Sequence, residues 1–136
     1  MAKKPLILIV SKDEQSSENE KNLLKKKYRI ELATDGKRGL QLARELNPDL
    51  IIMELLLPKM DGFQLINRLK KSPSTRDIKI LVFSLFLAED RVLSMGADAF
   101  LLMPVVKEIF QDRVDELLAG SEKLNEVQSR TSGDPI

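Results

Sequence analysis

The chain has 136 residues, enough for one domain, with 22 Lys plus Arg against 21 Asp plus Glu and a formal net charge of +1. That balance argues against a strongly basic nucleic-acid binder. There is no Cys and no His, which excludes disulfide frameworks, thiolate zinc sites, thiol nucleophiles, the commonest metal ligand and the usual general base.

Leu6–Val10 is a continuous apolar run and reads as a strand covered on both faces. It is far too short for a membrane span or a signal-peptide core, so a cytoplasmic chain is expected. Asp13 and Glu14 read as a solvated acidic loop. A helix is predicted over Gln15–Lys27, with Ser17-Glu18-Asn19-Glu20 as a capping box and Lys25, Lys26 and Lys27 at its C-terminus. Arg29–Ala33 alternates, as an edge strand with one wetter side does. Thr34-Asp35-Gly36 then turns into a helix over Lys37–Asn47, which Pro48 stops.

Leu50–Glu54 is a third strand, followed by a helix over Gly62–Lys71 with Phe63, Ile66 and Leu69 on one face. Ile78–Phe83 is a fourth strand, Ala88–Met95 a short helix and Ala99–Met103 a fifth strand. The last helix, Val105–Leu118, puts Val106, Ile109, Phe110, Val114 and Leu117 on one face. Strand and helix alternating in this way predict an α/β, doubly wound parallel sheet. After Ala119-Gly120 the composition turns polar. Residues 1–119 therefore read as the domain and 120–136 as a polar tail or linker stump, with an extension of the last helix as the alternative.

In an open parallel sheet, functional groups collect at the carboxyl ends of the strands. Those ends carry Ser11, Lys12 and Asp13, then Glu54, Ser84 and Met103-Pro104. Leu50-Ile51-Ile52-Met53-Glu54 with Pro58, Asp61 and Gly62 resembles the receiver domain of bacterial two-component response regulators. Ile80-Leu81-Val82-Phe83-Ser84, Gly96-Ala97-Asp98-Ala99-Phe100 and Met103-Pro104 continue the match in order, over about residues 5–119.

The resemblance implies a flavodoxin-like (βα)5 receiver fold with strand order 2-1-3-4-5. It also implies phosphoryl transfer from a kinase histidine to an aspartate at the end of the third strand. Two acids after the first strand would hold magnesium, and a lysine after the fifth would steady the phosphate. A Ser or Thr after the fourth would grip it and shift an aromatic residue. Magnesium requires hard anionic oxygens, and the transferring phosphoryl needs its negative charge neutralised.

This chain departs from that pattern at most of these positions. Glu54 replaces the acceptor aspartate, Ser11 and Lys12 replace the acid pair, and Met103 replaces the lysine. Ser84 and Phe100 keep the switch positions, while the bulky Leu85 follows Ser84, and Pro104 is the candidate cis proline. No metal site is expected, with magnesium binding lost or weak and no other cofactor.

Adjacent first and third strands would let the Lys12 ammonium meet Glu54. Together with Ser84 they would hold one fixed, phosphate-independent conformation. Ser84 could otherwise cap the next helix, Phe100 could be plain strand core, and Met103 a core filler.

The expected function is a degenerate receiver acting as a protein-interaction module. Its partner would be a histidine kinase, an output domain or another signalling protein, with a homodimer open and no nucleic-acid or membrane partner. Docking would use the face of the fourth helix, fifth strand and fifth helix, led into by Leu85-Phe86-Leu87, which is either core or an exposed contact patch. The alternatives are a phosphoacceptor using Ser84, Ser11 or Asp13, or a small-ligand binder at the same edge. The latter lacks a Gly-rich phosphate loop.

Overall fold

The computed structural model of the protein describes residues 3–130, with side chains through Ala119. Five strands alternate with five helices: β1 (Leu6–Val10), α1 (Glu14–Leu24), β2 (Arg29–Ala33), α2 (Gly36–Leu46), β3 (Leu50–Glu54), α3 (Gly62–Lys71), β4 (Lys79–Ser84), α4 (Glu89–Ser94), β5 (Ala99–Leu102) and α5 (Lys107–Arg130). All pairings are parallel, in the order β2-β1-β3-β4-β5 expected of the receiver fold.

The central strands are apolar at nearly every position because both sheet faces are covered. Leu8, Val10, Ile51, Met53, Ile80 and Val82 pack in one cluster with Leu40, Ala43, Leu65, Ile66, Leu69 and Val92 from α2, α3 and α4. Ile7, Ile9, Ile52, Leu81 and Phe83 pack in the other, with Leu24 from α1 and Phe110, Val114 and Leu118 from α5. β2 lies at an edge and alternates between wet and covered positions, as its sequence predicts.

α1 and α5 differ from the sequence reading: α1 ends at Leu24 and not at Lys27, and α5 begins at Lys107 and not at Val105. α1 is capped by Asp13, whose carboxylate accepts from the Gln15 amide at 3.0 Å, so it begins before Ser17. Asp13 is therefore a cap and not a loose loop acid. The supposed capping box of Ser17 and Glu20 lies inside the helix, and both residues are buried. A carboxylate both caps the first amides and faces the positive end of the helix dipole, which a serine hydroxyl does not.

Val106, which lies just before α5, and Ile109 in its first turn are exposed; the buried stripe of α5 is Phe110, Val114 and Leu118. That spacing of four keeps one face on the sheet. The α5 backbone also continues through Arg130, past the polar boundary at Ala119-Gly120. The tail residues 131–136 lie outside the described residues.

Candidate functional site

The register brings the strand ends into a row. Val10 pairs with Ala33 and Met53, Glu54 with Phe83, and Ser84 with Leu102. The residues that follow β1 therefore emerge beside the end of β3. Gly62 lets α3 start hard against that end: a Cβ there would sit 2.6 Å from the Glu54 carbonyl oxygen.

Glu54 is half-buried, and its Oε1 accepts a hydrogen bond of 2.6 Å from the backbone N–H of Lys12. The sequence reading placed an ion pair here. The contact is made by the Lys12 amide, and the Lys12 side chain is exposed with no ion pair to Glu54. The reason is geometric and energetic. The amide is already at hydrogen-bond reach of residue 54, whereas docking the ammonium would cost hydration and side-chain freedom.

Ser11 is fully buried, its N–H extending the ladder to the Ala33 carbonyl at 3.0 Å. Its hydroxyl accepts from the Asp13 amide at 3.2 Å. Ser84 is buried, and its hydroxyl accepts from the Phe86 amide at 3.0 Å. It makes no bond to Glu54 and does not cap α4, whose N-cap is Ala88 with no side-chain bond.

Phe100 is buried among the residues packed under α3 and α4. Met103 is half-buried against the opposite cluster, its amide donating to the Ser84 carbonyl at 2.8 Å. The Met103–Pro104 peptide is cis. Glu54, Lys12, Ser84 and Met103 thus line one cavity of about 210 Å³ together with Asp13, Ser16, Leu56 and Phe86, while Ser11 and Phe100 stand behind it.

Glu20 escaped the sequence reading. It is only 7% exposed, its Oε2 lies 3.4 Å from the Ser16 hydroxyl, and its Oε1 has no partner, like the buried Ser17 hydroxyl. Burial pushes its carboxyl up to about 7 against the Ser16 hydrogen bond, with the charges of Glu54 and Asp13 adding to the rise. The signal was present in the sequence: a helix capped at Asp13 puts Ser17, Glu20 and Leu24 on one inward stripe.

Magnesium, which the receiver resemblance implies, does not fit this donor set. Among the described residues no three acidic side chains converge to hold a cation. One Glu54 oxygen is committed to an amide, and Ser11 and Lys12 offer no anionic oxygen. No described helix is long and apolar enough to cross a membrane.

The chain is similar to known signalling proteins. It is 36% identical over 124 residues to the DNA-binding dual master transcriptional regulator RpaA of Synechocystis, covering 88% of this chain and 52% of that protein. It is 37% identical over 98 residues to the nitrate/nitrite response regulator protein NarL of Escherichia coli, covering 69% of this chain and 44% of that protein. The chain thus spans about half the length of the curated relatives it matches. Among solved structures it resembles the signal receiver domain of a signal transduction histidine kinase from Syntrophus aciditrophicus. That match has a TM-score of 0.79 at 29% identity and covers 97% of this chain and 98% of the other. The response regulator receiver domain model matches residues 7–118, with the strand order and the row of strand-end residues already described, and the chain belongs to that family.

Proposed function

We propose that this receiver domain works as a phosphorylation-independent interaction module in signal transduction, holding one conformation without metal or phosphate. The observation that carries this reading is the Glu54 carboxylate bonded to the Lys12 amide at 2.6 Å, where the family places an aspartate beside an acid pair. Glu54 supplies a fixed single charge where a phosphate would supply about −1.5 to −2. Ser84, which would grip a phosphate, is turned to the Phe86 amide. Met103 offers no charge to a transferring phosphoryl group.

Ser11 is fully buried behind the cavity, so its hydroxyl is not presented to a phosphodonor, while the Ser84 hydroxyl, at the cavity wall, is held by the Phe86 amide. The partner is a cytoplasmic signalling protein: a histidine kinase, a separate output domain or a second copy. It would dock on the face where Leu87, Leu93, Leu102, Val106 and Ile109 are exposed.

The test is incubation with magnesium and acetyl phosphate followed by intact-mass measurement. The wild-type chain should gain no phosphoryl adduct. Glu54→Asp should also stay unlabelled, because Lys12 and Met103 still deny the site its metal and its lysine. A stoichiometric adduct on the wild-type chain would overturn the reading.

A further inference from the structure

The cavity above Glu54 joins two kinds of surface. Leu55, Leu56, Phe83, Leu85, Phe86 and Met103 make most of its lining apolar, and Glu54 and Asp13 add carboxylates. Its volume of about 210 Å³ is the scale of a side chain and below that of drug-sized ligand pockets. Glu54 has one oxygen on the Lys12 amide and the other without a protein partner.

Three classes of side chain could enter, and the chemistry separates them. A purely apolar one would strip water from an ionised carboxylate that keeps a single hydrogen bond, which is costly. An anionic one would meet Glu54 and Asp13. A side chain with an apolar stem and a cationic head satisfies both surfaces. Lys12 also lines the cavity, so two carboxylates stand against one exposed ammonium there. The neighbouring Glu20 carboxyl is raised by burial, lowered by its Ser16 hydrogen bond and raised again by the charges of Glu54 and Asp13.

We propose that this cavity receives an arginine side chain of a partner protein, its stem against Leu56 and Phe86 and its guanidinium on the free oxygen of Glu54. Arginine fits better than lysine because its head is less strongly hydrated and lies flat on an aromatic ring. The assignment rests on the interaction-module reading and names the chemistry its partner presents.

The Lys12 amide, bonded to Glu54, is a built-in reporter. The experiment follows 1H–15N spectra of the full chain titrated with N-acetyl-arginine methylamide, against N-acetyl-norleucine methylamide, which keeps the apolar stem and lacks the cationic head. The arginine probe should shift the Lys12, Leu56 and Phe86 amides saturably, with norleucine about tenfold weaker, the worth of one charge-assisted hydrogen bond. In Glu54→Gln, which keeps an acceptor for the Lys12 amide and whose fold the same spectrum checks, the two probes should bind alike.

Equal binding of both probes to the wild-type chain, a preference that persists in Glu54→Gln, or no shift at the three amides would overturn the assignment. Those outcomes on a chain that still refuses phosphate leave the interaction module standing and remove only its arginine. A phosphoryl adduct would remove the module reading itself.

Discussion

At the residue scale, two glutamates close to one another live under opposite rules. Glu54 is half-buried, with a backbone donor to serve its charge, whereas Glu20 is buried with one oxygen unserved. Glu20 therefore keeps its proton in the folded chain to about pH 7, against an ordinary 4.5. Below pH 4.5 it is neutral in both states and costs nothing. Between 4.5 and 7 only the unfolded chain ionises, so stability falls as pH rises, and it stays low above 7. The gap corresponds to about 3 kcal/mol at most. Glu20→Gln should flatten that slope and be more stable than wild type at pH 8, as read from urea midpoints across this range. A variant that retains the wild-type slope would show that another group carries it. The sequence hid Glu20 because a charged residue reads as solvated, and because Ser17 and Asp13 are equally good caps on paper; only packing shows which starts the helix. Adjacent β1 and β3 did make the meeting of residues 12 and 54 legible. Spacing could not tell the amide of Lys12 from its ammonium.

At the scale of elements, the strands were the most legible part, because a strand covered on both faces must be apolar throughout and few other segments are. The helix ends depended on side-chain capping. α3 has the full reciprocal arrangement: Gln64 N–H to Asp61 Oδ1 at 2.8 Å and Asp61 N–H to Gln64 Oε1 at 3.0 Å. Asp61→Ala should cost about 1 kcal/mol and speed hydrogen exchange in the first turn of α3, next to the Glu54 backbone. An unchanged midpoint would mean that packing of Leu65 and Ile66 alone fixes that turn. α4 is the contrary case, six residues long with no side-chain cap. It is held by the buried Val92 and by Arg91, whose guanidinium lies 3.9 Å from the centre of the Phe63 ring. Arg91→Ala should cost about 0.5–1 kcal/mol and raise exchange in α4, with α3 unaffected. The outward turn of Val106 and Ile109 was not legible, because a helix with apolar residues on more than one stripe does not say which stripe faces the sheet.

At the scale of the whole molecule, the two edges of the sheet are finished differently. On the β2 side, Asp115 of α5 accepts hydrogen bonds from the Tyr28 hydroxyl and the Lys27 ammonium, so polar contacts tie the first βα unit to the last helix. On the β4 and β5 side the finish is apolar and open: Leu85 is 82% exposed, Leu87 74% and Val106 59%. Lone exposed leucines are ordinary, whereas several on one side form the surface proposed above for docking. Whether Leu85-Phe86-Leu87 was core or patch could not be read from composition. The structure places it outside, because Ser84 ends β4 and its hydroxyl turns the chain through the Phe86 amide. This makes the patch separable from the fold. The double variant Leu85→Ser, Leu87→Ser should leave the urea midpoint within about 0.5 kcal/mol of wild type, since neither side chain is buried on folding. The same variant should lower the fluorescence of an apolar dye bound to the native chain and its retention on a hydrophobic column. If the midpoint instead falls by about 2 kcal/mol or more, as truncation of a buried leucine would cause, the two side chains are covered in solution and the open face is not the docking surface.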